Sequence, residues 1–585
     1  MSRRIAITGL GAVSALGDTA AATWEAVREG RCGIGLHRFE GGQYAPEPVS
    51  LPAALASDGF SAALEARFGR KIVGSIDRFA QLALCAAHDA LESAGLLDQP
   101  ELVGRAAVVL GHGQGGQDTL EKSYERYFGL KSQRMHPATV PKVMVSGAVS
   151  AVAMQFGVHG PVFATSSACA SSAHAIIQGA GLIHTGLADI AIVGGSEAVA
   201  TPGCMAAWQA VQALAAETCR PFSKDRDGMA MAEGGAVLIL EDYAHAEARG
   251  AKILGEFLGA GMTSDAFHIT QPSLDGTSTA MAQAVRVAGL LDAEEVLIAA
   301  HGTGTLLNDR NEAASIHAVF GDNARRHPVI ATKSSHGHLI GGSAALQAII
   351  ALQALRAGLA PPVLNFNEPD PECDIDLVVG QVRPIKARHA LAETTCRPFS
   401  KGRDGMVMGE GGAVLVLEDW DHAHARGAEV LGEYLGAGMT SDAFHITQPA
   451  LAGASAAIRQ ACAAGGLLDA DEVLISSHGT GTPLNDENEA AAIQAVFGER
   501  ARQHPVIATK SAHGHLIGGS AALQTVLGLM ALKAHLAPPV LNYLDADPAC
   551  DVDVVVGQVR PIKASRLLLN AFAFGGLNAS LAFAA

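Results

Sequence analysis

The side chains best placed for chemistry are one cysteine and a pair of repeated histidine loops. Cys169 lies in "GPVFATSSACASSAHAIIQGAGLIHTG", after a strand-like run and at the start of a long helix-like run of small residues. A thiol there faces unpaired backbone N–H groups and the positive end of the helix dipole, and both favour thiolate, the nucleophilic form. The ordinary alternative is a small packing cysteine. Small flanking residues leave room for a ligand and weigh toward reactivity. "HGTGTLLND" begins at His301 and "HGTGTPLND" at His478. A histidine set among glycines and threonines, with an acid close behind, has the make-up of an active-site wall.

The two loops belong to a long repeat. "CRPFSKDRDGMAMAEGGAVLILED" from Cys219 recurs from Cys396 as "CRPFSKGRDGMVMGEGGAVLVLED". "LGAGMTSDAFHITQP" is identical at 258–272 and 435–449, "HGHLIGGSAALQ" at 336–347 and 513–524, and the match ends near "VRPIKA". The offset of 177 residues is far longer than a solenoid unit of about 20–50 residues. It is a tandem copy of a domain-sized segment. Three parts follow: 1–218 with the cysteine, 219–395 as the first copy, and 396–585 as the second copy with a tail, 565–585, that has no counterpart.

Each copy alternates strand and helix patterns. "GGAVLVLED" reads as a buried strand and "ASAAIRQACAAGGL" as an amphipathic helix closed by glycine. "EVLISSHGTGT" and "PVIATKSAHGH" read as strands running into loops, and "GGSAALQTVLGLMALKAHL" as a helix. Both histidine loops therefore sit at carboxyl ends of strands, where open α/β sheets place their chemistry.

Bulk composition narrows the class. The 585 residues exceed one ordinary core, and 49% apolar with 17% charged side chains gives ample material to bury. A formal charge of −17 argues against nucleic acid as a partner. Nine cysteines, with no CxxC pair, indicate neither a disulfide framework nor a zinc site, and a reducing cytoplasm is the natural setting. The start "RRIAITGLGAVSALG" reads as a strand entering a glycine turn rather than a secretion signal, and Ser14 spoils it as a dinucleotide fingerprint. Gln353 and Arg356 break the longest apolar run, so no membrane span is expected.

"TSSACASS", "HGTGT", "TKSxHGH" and the tail "NAFAFGGLNASL", in that order, resemble the β-ketoacyl-acyl-carrier-protein synthases of the elongating kind. "ITGLGAVSALG" fits too, and "HPATVPKVM" at 136–144 is similar to nodulation-type relatives. With one copy removed, the remaining 408 residues are covered essentially throughout. The resemblance implies the thiolase fold: two α/β halves stacked as five layers, α-β-α-β-α, in a homodimer. It implies Cys169 as acyl-accepting nucleophile, His301 or His478 as first histidine, and His338 or His515, not His336 or His513, as second. Lys333 or Lys510 would support the second histidine, and Thr303 with Thr305, or Thr480 with Thr482, would touch the phosphopantetheine arm. Phe574 falls at the acyl-pocket gate. No bound cofactor is implied, the arm arriving on acyl-carrier protein.

The implied reaction is a decarboxylative Claisen condensation of an acyl-enzyme with malonyl-carrier. Glutamine at 347 and 524, where such synthases carry glutamate, removes the lysine's usual carboxylate partner. The rival readings are a carrier-binding partner like a chain-length factor, which Cys169 opposes, and a decarboxylase or acyltransferase that stops before condensation. Arg67, Arg70, Lys71, Lys131 and Arg134 form the expected docking surface for the acidic carrier. Only one histidine pair can face Cys169. Pro483, Gly409 and the directly joined tail favour His478, His515 and Lys510, with the first copy an insertion bulging before the second "CRPFS". A composite is the alternative, the first copy's strand finishing the N-terminal sheet while the second copy's histidines complete the site.

Overall fold

The computed structural model describes residues 3–40, 48–57, 59–267, 272–392, 412–543 and 545–585. These fall into two compact units, one joining 3–152 to 163–392 and the other joining 153–162 to 412–585. The expected boundary at 395/396 and Gly409 lie outside the described residues.

The first unit is built around the strand Ile190–Ala198, buried at every position. Its neighbours are Ala107–Gly111, parallel, and Met231–Asp242, antiparallel. Met231–Asp242 pairs in turn with Ile5–Val13, whose first residues pair with Gly255–Phe257. A strand enclosed on both faces needs a near-continuous apolar run, and "AVLIL" supplies it. The helix Arg78–Ser93 packs on one face of this sheet, and Ser171–His184 and Ser343–Ala357 pack on the other. Ser343–Ala357 also packs on a second, three-stranded parallel sheet of Val329–Ile330, Leu297–Ala299 and Ala390–Ala392. Beyond it, Met281 and Val285 of Leu274–Val287 and Ile316 and Phe320 of Leu306–Phe320 pack with Ile298 and Val329. The layers are helix, sheet, helix, sheet, helix, the order the resemblance implied.

This corrects the expectation that 219–395 bulges as an insertion. Its first strand, Met231–Asp242, is the inner partner of both Ile190–Ala198 and Ile5–Val13. The physical reason is proximity along the chain. The loop from Ile190–Ala198 to Met231 is far shorter than one reaching the second copy, and shorter loops lose less entropy on closure. The expected composite is right about this strand.

The second unit holds a five-stranded sheet ordered Glu433–Ser441, Leu577–Ala584, Arg566–Ala573, Leu474–Ser476, Val506–Ile507. Leu451–Gly465 and Pro483–Phe497 pack on one face through Ile458, Ile493 and Phe497, against Leu568 and Phe572. Ser520–Ala534 packs on the other through Ala531 and Leu532, against Leu567 and Phe583. The expected strand "GGAVLVLED" does not form here. Residues 412–419 have no regular structure, and Val414, Val416 and Leu417 are 86%, 85% and 73% exposed. Two helical segments, Ile340–Ala357 and Ile517–Ala534, are long and apolar enough to span a membrane by length and composition alone, a property that buried core helices share. The first is mostly buried as the middle helical layer of its unit.

Candidate active site

Cys169 is half-buried in a tight turn between Val162–Thr165 and the helix Ser171–His184. Ala168, just before it, has φ +50°, a left-handed conformation that costs an L-residue about 1–2 kcal/mol. The turn is clamped: Ser171 Oγ accepts the Ser167 N–H at 2.8 Å and donates to Ala168 O at 2.7 Å. The neighbouring strand ends at Gly111, where a Cβ would come within 2.1 Å of the Ser171 backbone, so only glycine lets the helix start this close. The chain thus presents the thiol at the head of a 14-residue helix.

The histidine that meets it is His338. Its Nε2 lies 3.1 Å from Cys169 Sγ. Its Nδ1 accepts the Ile340 N–H at 3.1 Å and is 2.8 Å from Ser343 Oγ. A ring nitrogen that accepts leaves the proton on the other, so Nε2–H is the donor turned toward sulfur. Burial, helped by Lys333, holds the imidazole well below its ordinary pKa, hence neutral. His301 stands beside it, ring centroids 5.4 Å apart at 85°, and Cys169, His301 and His338 each bring one polar atom within 4.8 Å of the others. That spacing could suit a metal, but the tautomers do not. Lys333 Nζ lies 3.2 Å from His301 Nδ1, and a donor there again leaves the hydrogen on Nε2. The imidazoles are set as two hydrogen-bond donors.

Lys333 is fully buried and gives further hydrogen bonds to His301 O and, at 2.9 Å, to Gln347 Oε1. Burial lowers its pKa to about 8, and nearby Glu312 opposes that shift. Gln347 Nε2 donates to Ala300 O, so the amide bridges lysine and backbone. The buried carboxylate that acts electrostatically on Lys333 is Glu312, which itself accepts the N–H groups of His301 and Gly302. Sequence reasoning missed Glu312. Its only signal was the shared "NEAA" at 311–314 and 488–491. Gly302 and Gly304, at φ +47° and +73°, turn the loop, and Thr303 Oγ1 and Thr305 Oγ1 lie 2.9 Å apart on it. His336 is used internally, its nitrogens on Thr332 Oγ1 and Gly337 O. Glu197 was also missed. Fully buried, it accepts the N–H groups of Gly113, Gln114 and Gly341, and burial pushes its pKa to about 7.

The second copy builds the same wall within its own unit. His478 and His515 stand 5.3 Å apart at 80°. Lys510 Nζ lies 3.3 Å from His478 Nδ1 and 2.7 Å from Gln524 Oε1, and Glu489 accepts from His478 and Gly479. Thr480 and Thr482 hydroxyls are 2.9 Å apart. The sequence reading favoured His478, His515 and Lys510 as partners of Cys169, yet the histidine in contact with its sulfur is His338 of the first copy. Phe574 is 36% exposed, in the turn between Arg566–Ala573 and Leu577–Ala584 of the second unit. Arg70, Lys71, Lys131 and Arg134 are exposed, whereas Arg67 is paired with Asp89 at 2.7 Å.

A thiol at a helix head, faced by two donor imidazoles within five layers, defines a thiolase-fold condensing enzyme, an acyltransferase. The comparisons agree. The profile for "Beta-ketoacyl synthase, N-terminal domain" matches residues 2–246 and 376–423, and that for "Beta-ketoacyl synthase, C-terminal domain" matches twice, at 254–367 and 431–544. The chain belongs to the β-ketoacyl synthase family. It is 41% identical to nodulation protein E of Rhizobium meliloti over 415 residues, 70% of this chain and 99% of that one. It is 36% identical to 3-oxoacyl-[acyl-carrier-protein] synthase 2 of Synechocystis over 405 residues, 67% and 95% of the two chains. Among solved structures, the ishigamide ketosynthase/chain length factor matches with a TM-score of 0.60 and 30% identity, over 66% of this chain and 94% of that one.

Proposed function

We propose that the protein elongates acyl chains on acyl-carrier protein, with Cys169, His301, His338 and Lys333 as its working set. The Cys169 thiolate attacks the acyl thioester carbonyl. The carbonyl electrons pass to oxygen, which the Cys169 N–H at the helix head can hold, and then return to expel the carrier's pantetheine thiolate, which takes up a proton. A malonyl thioester then enters along Thr303 and Thr305. Its C–C bond breaks, carbon dioxide leaves, and the electron pair becomes an enolate whose oxygen accepts from the Nε2–H groups of His301 and His338. The enolate carbon attacks the acyl carbonyl, forming the new C–C bond, and Cys169 leaves as thiolate. Lys333 holds His301 in the donor tautomer. The carrier docks through the exposed Arg70, Lys71, Lys131 and Arg134.

The observation that carries this reading is His338 Nε2 at 3.1 Å from Cys169 Sγ with Nδ1 already taken. The test is mass spectrometry after incubation with acyl-carrier protein. Acyl mass should appear on Cys169 and vanish in Cys169→Ala, while malonyl decarboxylation survives in that variant. Absence of acyl on Cys169 in the native protein would exclude an enzyme of this kind.

A further inference from the structure

After each second histidine the chain makes the same strained turn. Ile340 has φ +41° and Ile517 φ +50°, left-handed values that a β-branched residue rarely adopts. Each turn aims its isoleucine N–H at the histidine, Ile340 to His338 Nδ1 at 3.1 Å and Ile517 to His515 Nδ1 at 3.0 Å. The turn therefore forms within a copy. What the next residue meets is different. A Cβ at Gly341 would lie 2.5 Å from Gly113 N, whereas one at its counterpart Gly518 would meet nothing within 4 Å among the described residues.

Glu197, on the strand Ile190–Ala198, fills that joint. Its Oε2 accepts the N–H of Gly113 at 2.6 Å and that of Gly341 at 3.0 Å, and its Oε1 accepts that of Gln114 at 3.3 Å. One oxygen thus bridges two loops. The Gly341 loop carries His338 three residues earlier. The Gly113 loop leaves Ala107–Gly111 beside the nucleophile turn, where the His112 N–H donates to Thr165 O at 3.1 Å. The titratable neighbours bring no charge. Burial holds the His112 pKa at about 4, hence a neutral ring, and that of Cys204 at about 12, hence a thiol. The strongest influences on Glu197 are burial and main-chain N–H groups, not a cationic side chain. Burying an acid without a countercharge is costly, and here its bonds go to the main chain of the two loops.

We propose that Glu197 is a positioning residue for the condensing step: by joining the Gly341 loop to the Gly113 loop, it sets His338 Nε2 against Cys169 Sγ. This role rests on the proposed function, because it takes Cys169 and His338 as working partners. Glu197 touches neither reacting atom. The histidine wall is built within its copy, and the nucleophile turn is clamped by Ser171. Loss of the joint therefore spares each alone and harms the step that needs both, attack of the histidine-held enolate on the acyl group of Cys169.

The test is Glu197→Leu, which removes the acceptor with little change of volume. The main-chain bonds of His338 with Ala230 and Ala232, and the Ala345 N–H bond to Ser172 Oγ at 3.1 Å, remain to keep the variant folded. Three rates are compared: acyl loading of Cys169 by mass spectrometry, malonyl-carrier decarboxylation in the Cys169→Ala background, and condensation kcat. The first two should stay within about threefold of their values with Glu197 present, as for interactions not made in those steps. Condensation should fall at least ~10-fold, since misplacement by about 1 Å costs ~10²-fold. Glu197→Gln, whose amide oxygen can take the place of Oε2, should recover most of that loss. Should the leucine variant fold poorly, Glu197→Asp, one methylene short of the bridge, should show the same split. Three rates that fall alike, condensation that stays native, or a glutamine variant as damaged as the leucine one would overturn the positioning role and leave the condensing function standing. Failure of the native protein to load Cys169 would instead overturn the proposed function, and this role with it.

Discussion

The rings of His301 and His338 stand 5.4 Å apart at 85°, and those of His478 and His515 stand 5.3 Å apart at 80°. Each pair has its lysine, glutamine and buried glutamate. The surroundings differ. Leu346, Ile349 and Ile350 on the first copy's helix are 0–1% exposed, whereas their counterparts Leu523, Val526 and Leu527 are only half-buried. Ile239 is a fully buried strand residue, and its counterpart Val416 is 85% exposed. The converse holds at the other end. The second copy's strand Leu474–Ser476 pairs with the tail strand Arg566–Ala573, while at the matching edge the first copy's Leu297–Ala299 pairs with the three-residue strand Ala390–Ala392. The histidine wall is therefore a local property of a copy, made by its glycine loops and its lysine–glutamine contact. The nucleophile is acquired through the sheet, by the copy whose first strand enters between Ile5–Val13 and Ile190–Ala198.

The sharpest way to break that contrast is at the strand itself. Ile239→Ala removes a buried side chain between two strands and should lower the stability of the first unit by ~2–5 kcal/mol. Val416→Ala should change stability by less than ~0.5 kcal/mol. Urea unfolding, fitted for two transitions, separates them. Equal losses would mean that 412–419 also occupies a buried slot.

A smaller effect distinguishes the two lysines. Lys333 has a pKa near 8 and is protonated below it, so condensing activity should fall as pH rises through about 8, when Nζ loses the charge that polarises its contact with His301. A carboxylate at its side favours the charged form. Gln347→Glu should thus move the basic limb of the pH–rate profile upward, and Gln524→Glu should leave it in place. A limb that moves with Gln524→Glu would give the working role to the second copy.

Much of this could be read from sequence. Cys169 was marked by its strand-to-helix position among small residues, and the histidine loops by their glycines. The choice between copies could not be read that way, because the segments around 258–272 and 336–347 are identical in both. The sequence favoured the copy joined to the tail. The structure favours the one nearest to Ile190–Ala198 along the chain, and uses Ala390–Ala392 as a substitute strand. Ala168's positive φ, Glu312 beneath the histidine loop and Glu197 across from Gly341 depend on long-range packing that spacing does not encode.

Glu197 gives the smallest effect. Its folded pKa of about 7 lies above the ordinary 4.5, so between those values the folded state binds more protons than the unfolded one, and stability falls as pH rises. Thermal unfolding of the first unit should lose roughly a few degrees in Tm from pH 5 to 7 on this account. Glu197→Gln should flatten that slope, while the second unit's transition stays unchanged. A slope that persists in the variant would place its origin elsewhere.

The central claim is that the first copy, not the second, works with Cys169. It is tested most directly by comparing condensation kcat for His338→Ala and His515→Ala in the full-length protein. Loss of a donor to a developing oxyanion costs ~10²–10³-fold. His338→Ala should show that loss, and His515→Ala should stay within about twofold of the native rate, as for any side chain outside the reacting centre. The reverse result, with His515→Ala inactive and His338→Ala near native, would contradict the account.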